Sequence, residues 1–370
     1  MKKFLYITDQ DEYTDLSFIG ALFEKYLSKY FDMNILYFSE FKSDFEKKDD
    51  KRFILPKKLK KNLLDELSNN GIDINSYSFI VVRNDIELLK HILKRKIRHK
   101  YKVGFRSVFP RRIIKLQEDE ASNQKSFFDI IDDKIKTFSE TALINECDIF
   151  IPSSSYMSEI YFQGVKTKTF VIPPAIDPEV LHDNIQHVED YKRFFYAGTL
   201  DKFRSFETIL EAFSQINNNQ FRLMISTKDP QYAKEMLSNF ENLKNCVEIY
   251  NAQNKEELLD LISKADIGLS ILPDVALFNC ATPVKILDYY SSAVPCIMTN
   301  NSNNKELFTD NKEAWFCNFD KDSIKNKLEE IINLSKEEVA QVGINGQNRL
   351  LEVRNYEKLA KNFALELNLL

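Results

Sequence analysis

The chain reads as an α/β protein of two doubly wound domains facing a cleft, with helices at its C-terminus. Three observations predict this. Short β-type runs alternate with amphipathic helical stretches from end to end, the pattern of parallel sheets built from βαβ units. At 370 residues the chain exceeds one ordinary core and suits about two. The two arrays are of similar length, and between them, within Pro173–Lys192, PPAIDP leads into a polar stretch without strong periodicity, as a hinge would. The expected division is residues 1–175, a hinge at 176–192, a second domain at 193–350 and a terminal helix at 351–370.

In the first half, strands are expected at Lys3–Thr8, Asn34–Phe38, Phe79–Arg83, Val103–Phe105, Asp148–Pro152 and Thr169–Ile172. In the second they are expected at Arg193–Gly198, Arg222–Ser226, Val247–Tyr250, Ile267–Ile271, Pro295–Thr299 and Trp315–Asn318. Helices fall between them, among them Leu16–Tyr30, Phe206–Gln215, Lys255–Lys264 and Pro283–Tyr290. Near the end, Ser335 and Glu338 have the spacing of a capping box, and Tyr356–Leu370 reads as a last helix.

Apolar residues at 44% and charged residues at 29% are globular values and argue against disorder. The apolar run after MKKF ends at Asp9, too short for a signal peptide. No stretch approaches the roughly 18 apolar residues that span a bilayer. The cysteines (Cys147, Cys246, Cys280, Cys296, Cys317) are scattered and odd in number, which fits buried thiols better than a disulfide framework or a zinc site. A cytoplasmic location follows. The charge is segregated: residues 51–115 hold 18 Lys/Arg against 5 Asp/Glu, and the rest holds 33 against 51. Such a patch invites an anionic partner.

Two segments of the second half carry chemistry. In FFYAGTLDKFRSFETILEAF, Phe194–Phe213, a strand ends at Gly198, a loop carries Lys202 and Arg204, and a helix follows. Free N–H groups and a neighbouring cation suit a pyrophosphate there. A βα turn with solvated basic residues is the competing reading. The absence of G-x-G-x-x-G lowers the case for a dehydrogenase. In CATPVKILDYYSSAVPCIMTN, Cys280–Asn300, Thr282 suits an N-cap and Pro283 the first helical position. Lys285 and Asp288 then share one face, as a cation for phosphate and an acceptor for ribose hydroxyls, or simply as a surface ion pair.

These segments, in this order and about 80 residues apart, together with VEIYNAQNKEELLDLISKADIGLSILPD between them, resemble the retaining family-4 glycosyltransferases of GT-B fold. ETALINECDIFIPSSSYMSEI and KTFVIPPAIDPE resemble the end of that group's N-terminal domain more loosely. Recognisable pattern covers Glu140 to Thr299. The resemblance implies two Rossmann-like domains, a nucleotide-sugar donor held by the second, and a glycan or lipid-linked glycan acceptor of bacterial surface polysaccharide at the first. It implies that Arg204, with Lys202, neutralises the departing diphosphate. It further implies that Asp288 binds ribose, that Asn251 to Asn254 lie near the base, and that Gly198, Thr199, Thr282 and Lys285 line the donor site. Three positions depart from the pattern. Thr199 stands where many members have a second phosphate-binding Arg, Cys280 stands where a sugar-contacting Glu is usual, and the ribose acid is Asp.

In the first half, the loop after the first strand is TDQDEYTD, without Gly. Its Asp11 is a candidate general base, although acidic loops also cap helices. Arg106 stands where the resemblance leads one to expect a His, and is a candidate substrate contact; His91 and His99 read as surface residues. No cluster has metal-ligand spacing, and the resemblance implies that helix dipole and cations stabilise the leaving phosphate, so metal-independent chemistry without a cofactor is expected. The basic amphipathic stretch Asp85–Arg98, with Lys94, Arg95, Lys96 and Arg98, suits peripheral contact with an anionic inner membrane face, or a solvated helix face. No nucleic-acid module accompanies it. A sugar-nucleotide epimerase of the same shape, and a non-catalytic nucleotide-sugar-binding partner, stay open.

Overall fold

The computed structural model describes residues 1–11, 18–96, 100–108, 127–182, 189–217, 219–280 and 282–370. The chain divides into two compact units: Met1–Pro173 with Tyr356–Leu370, and Pro174–Asn355.

The first unit is built on a seven-stranded sheet, β1 Lys3–Asp11, β2 Asp32–Ser39, β3 Glu46–Lys47, β4 Arg52–Pro56, β5 Tyr77–Arg83, β6 Lys102–Ser107 and β7 Ile149–Pro152, in the order β3-β4-β2-β1-β5-β6-β7. Every pairing is parallel except β3 with β4. Strands covered on both faces need continuous apolar runs, and β1 supplies one: Phe4, Leu5, Tyr6 and Ile7 are all buried. Tyr6 stacks on Phe23 of the helical segment Phe18–Tyr26 with ring centroids 3.8 Å apart.

The second unit has six strands, β8 Lys192–Ala197, β9 Phe221–Ser226, β10 Val247–Tyr250, β11 Ile267–Ser270, β12 Cys296–Thr299 and β13 Trp315–Cys317, all parallel in the order β10-β9-β8-β11-β12-β13. Side chains alternate faces along a strand. Phe194, Tyr196, Leu223, Ile225, Leu269 and Ile297 therefore build one core layer, while Phe195, Ala197, Met224, Cys296 and Met298 build the other. The chain builds outward from β8 to β9 and β10, then returns to place β11 on the other side of β8, so the order reverses between β8 and β11. In open α/β sheets, ligands bind outside the carboxyl ends of strands at such a switch point.

The structure corrects several expected elements. The sequence pattern predicts neither β3, just before the basic region, nor β4 and the helix Leu63–Asn69 within it. Thr169–Ile172 is not a full strand: it runs beside β7 through a single bridge, with Phe170 N–H donating to the Phe150 carbonyl at 2.9 Å. The terminal segment expected as a separate unit from residue 351 is also placed differently. One helix runs unbroken from Lys336 to Val353 in the second unit, and the next, Tyr356–Asn368, belongs to the first. There Phe363 meets Phe170 at 5.3 Å and Glu357 pairs with Lys29 at 3.0 Å. The capping box of Ser335 and Glu338 is present with both of its bonds.

Gly343 lets helix Lys336–Val353 close on the end of helix Val284–Ser291, because a Cβ there would lie 1.9 Å from the Ala293 carbonyl oxygen. Gly343→Ala must therefore push the helix off backbone, and should lower stability by about 1–3 kcal/mol. A urea-unfolding midpoint equal to wild type would show that this approach is not limiting.

Candidate functional site

The site is assembled around the end of β8. Gly198 has φ +145, a value that L side chains rarely adopt. Its N–H donates to the Ser226 carbonyl at 3.0 Å, continuing the β8–β9 pairing by one residue. The chain then turns. Tyr196 Oη donates to the Thr199 carbonyl at 3.0 Å. Asp201 closes the loop: its Oδ1 accepts the Arg204 N–H at 2.9 Å, and its carboxylate pairs with the Arg204 guanidinium. Ser205 sits at φ +44, and buried Phe206 packs on the Tyr196 ring at 4.4 Å. Lys202 and Thr199 are exposed. The following helix is Glu207–Phe213.

The segment after β11 brings the second group. Thr299 Oγ1 accepts the Leu272 N–H at 2.8 Å and fixes where that segment leaves the sheet. Helix Val284–Ser291 starts one position later than expected. Pro283, not Thr282, occupies the cap position, and no side chain caps the helix. Pro283 keeps an extended backbone with ψ 132, which delays helix entry. Thr282 is instead buried and accepts from Asn303 Nδ2 at 3.5 Å. One turn on, Tyr289 Oη accepts the Ala197 N–H of β8 at 3.1 Å and donates to the Leu269 carbonyl of β11 at 3.3 Å. The helix is thus tied to both strands of the switch point.

That tie places Lys285. The residue as a whole is half-buried, yet its Nζ is out of solvent and has no hydrogen-bond partner. The ammonium lies 3.9 Å from the centroid of the Tyr196 ring and 3.4 Å from where a Cβ on Gly198 would stand. The ring face gives some cation–π attraction, but burial dominates and pulls the amine down to about 7; Arg204 pushes the same way, and Cys296 and Asp201 oppose it.

Asp288, on the same helix, is 9% exposed and forms an ion pair with Lys255, the first residue of helix Lys255–Ser263. Burial holds its carboxyl above the usual range despite the Lys255 charge, which works in the other direction. Sequence spacing gave no sign of this partner, which is 33 residues away. Asn254 caps the Lys255–Ser263 helix, its side chain accepting the Glu257 N–H at 2.9 Å, and Asn251 is exposed beside it. Cys280 is fully buried.

The first-unit candidates are placed differently. Arg106 is 1% exposed, and both of its Nη atoms donate to the Ile172 carbonyl at 3.3 Å. Burial lowers its pKa. It is level with Arg83 of the neighbouring strand, which is also buried. The side chain of Asp11, and all of Arg98 and His99, lie outside the described residues. In the basic region several charges are paired: Arg95 with Asp65 at 2.9 Å, Lys96 with Asp148 at 2.7 Å, Lys57 with Glu40 at 2.8 Å, and Lys60 with Asp85. Lys90 and Lys94 are exposed, and no ion pair is formed by either among the described residues. Among those residues no three His, Cys, Asp or Glu side chains converge as a metal site would need, and no helix is long and apolar enough to cross a membrane.

Comparison with known proteins fits this geometry. Residues 177–349 match the family model of glycosyl transferases group 1. No curated protein sequence matches. Among solved structures, the chain is similar to sucrose-phosphate synthase of Thermosynechococcus elongatus, with TM-score 0.74, 13% identity and 98% of each chain covered. It is similar to Anabaena HepE in complex with UDP and glucose, with TM-score 0.69, 12% identity and full coverage of both chains at 100%. It is also similar to a UDP-forming trehalose-phosphate synthase of Burkholderia xenovorans in complex with glucose-6-phosphate, with TM-score 0.68, 10% identity, and 99% of this chain and 100% of that one covered. The fold is GT-B.

The Lys255–Asp288 pair makes a pH-dependent prediction. In Lys255→Met the buried carboxylate loses its cation, so its folded pKa rises further above the unfolded value. Ionisation then opposes folding at neutral pH but not below the unfolded pKa. The variant should lose about 1–3 kcal/mol at pH 7, and the gap from wild type should shrink as pH falls toward 4. A gap independent of pH in denaturant titrations would mean that Lys255 acts through packing alone.

Proposed function

We propose that this chain is a glycosyltransferase that takes a sugar from a nucleotide-sugar donor held by its second unit. One observation carries the reading. The Gly198–Arg204 loop, Lys285 and the Asp288 helix, far apart in sequence, meet at the carboxyl edge of β8 and β11, inside the region that matches the family model. A diphosphate is a doubly anionic group that needs desolvated cations and backbone N–H donors, and this corner of the sheet offers both.

In this reading Arg204 exchanges part of its contact with Asp201 for the phosphate. Lys202, free in solvent, closes over it, and Gly198 and Thr199 present backbone to it. Asp288 turns its carboxylate toward ribose while Lys255 keeps it ionised. Asn251 lies beside the base, and Thr282 and Lys285 border the donor. No step calls for a metal ion or cofactor: the charge that develops on the leaving diphosphate is met by cations already in place. Transfer proceeds with retention, by analogy with the family. The acceptor is a glycan or lipid-linked glycan of a bacterial surface polysaccharide, bound by the first unit, where Asp11 is a candidate base and buried Arg106 would act only indirectly, by holding the Ile172 backbone. The protein works in the cytoplasm, with peripheral contact at an anionic membrane face.

Arg204→Ala should weaken UDP or GDP binding by about 1.5–3 kcal/mol, and Lys202→Ala should cost less. Calorimetry showing unchanged affinity for Arg204→Ala would remove this loop from the phosphate site. Slow donor hydrolysis without acceptor is expected of a transferase; binding with no turnover at all would point instead to a nucleotide-sugar-binding partner, a reading that buried Cys280 favours.

The membrane contact is narrower than composition implied. Arg95 and Lys96 are committed to carboxylates, so exposed Lys90 and Lys94, four apart on one helix face, are the residues to test. Each such cation contributes about 1 kcal/mol near an anionic surface. Replacing both by Gln should cut co-sedimentation with phosphatidylserine vesicles about tenfold or more while leaving nucleotide affinity unchanged. Wild-type protein that ignores these vesicles at low salt would exclude the contact.

A further inference from the structure

We infer that Lys285 is the inner anion-binding residue of the second unit, and that a nucleoside diphosphate enters its site together with a proton taken from solvent. This rests on the donor reading above, and adds to it a charge that the free protein does not fully carry.

The geometry is unusual for a lysine. Long basic side chains normally snorkel their charged head into water. Here the residue as a whole is half-buried, yet Nζ is out of solvent without a hydrogen-bond partner. An ammonium has three donors, and leaving them unsatisfied is costly. What surrounds Nζ does not compensate. On the β8 side stand the Tyr196 ring and Gly198. From the loop after β8, Arg204 opposes the charge and Asp201 favours it, but the Asp201 carboxylate is already engaged by Arg204. From β12, Cys296 faces it as a thiol that burial keeps protonated. On its own helix, the nearest carboxylate, Asp288, is paired with Lys255. No described group supplies the full countercharge.

The position of Nζ indicates what would. It lies 3.4 Å from where a Cβ on Gly198 would stand, at the residue whose backbone ends the central strand at the switch point, and near enough to Arg204 for the two charges to oppose each other. An anion settling on the Gly198–Thr199 backbone would come within reach of both cations. Lys285, poised near 7 by burial, is mostly neutral in slightly alkaline solution until an anion draws the proton in. Binding then raises its pKa, and the proton comes from the buffer. Affinity should fall as pH rises above 7, because more of the free protein must be protonated first.

Calorimetry in buffers of different ionisation enthalpy measures this directly. The titrant is UDP, with GDP as a second probe, at pH 8, where the diphosphate is itself fully ionised. Wild-type protein should take up close to one proton per nucleotide. Lys285→Met, which keeps the stem and removes the amine, should bind about ten- to a hundredfold more weakly with proton uptake near zero. It should also unfold no earlier than wild type, since the buried amine is gone. If nucleotide binds wild type with no dependence on buffer, and Lys285→Met binds equally well, Lys285 is a packing residue and the inference fails while the donor site stands. If neither nucleotide binds wild type at any pH, the donor reading itself falls, and this inference with it.

Discussion

Everything that gives the second unit a site depends on how Tyr289 is held. Its hydroxyl accepts from the Ala197 N–H and donates to the Leu269 carbonyl, so a single phenol bridges the two strands between which the sheet order reverses. Its ring lies on Gly268, where a Cβ would be only 2.3 Å from a ring carbon. Buried backbone groups at strand ends must find partners, and here a side chain supplies them. The cost of that close approach is a strand residue without a side chain; the return is a helix whose first turn cannot drift. Lys285 and Asp288, one turn and one residue earlier on that helix, inherit their positions from it.

The two charged residues on this helix have been handled in opposite ways. Asp288 is buried with a dedicated cation, an arrangement that fixes geometry more than it stabilises. Lys285 is buried with none. A paired group can be displaced only by a ligand that satisfies both partners, whereas an unpaired one is a standing electrostatic demand for an anion. Under the proposed donor reading the two divide the labour within one turn of helix, Asp288 setting orientation and Lys285 adding attraction.

The sheet cores were legible in the sequence because fully buried parallel strands leave continuous apolar runs, as in FLYI near the start and FFYA before Gly198. That Gly198, Arg204, Lys285 and Asp288 stand at the ends of strands and the starts of helices could be read because strand–loop–helix joints keep fixed local spacing. What escaped notice was set by distant contacts. Lys255 reaches Asp288 from another βα unit, and the small strands β3 and β4 are made by edge pairing, for which Arg52–Pro56 carries little periodicity. The helix start slipped by one residue because Thr and Pro both suit a helix entrance, and only the tertiary bond from Asn303 to Thr282 decides between them. The basic stretch shows its charge in composition, but not which of its cations, such as Arg95 and Lys96, are paired with carboxylates of the same unit.

The return of helix Tyr356–Asn368 to the first unit makes the second unit, in topological terms, an insertion within the first. During synthesis the first sheet is complete long before the helix that covers part of it exists. Phe170 and the face of Phe18–Tyr26 must wait, with apolar surface open, while nearly two hundred residues are made. Contacts of that sequence separation form late and slow folding. The inserted unit, whose contacts all lie within one continuous stretch, can mature first, so the order of maturation runs opposite to the order of the chain.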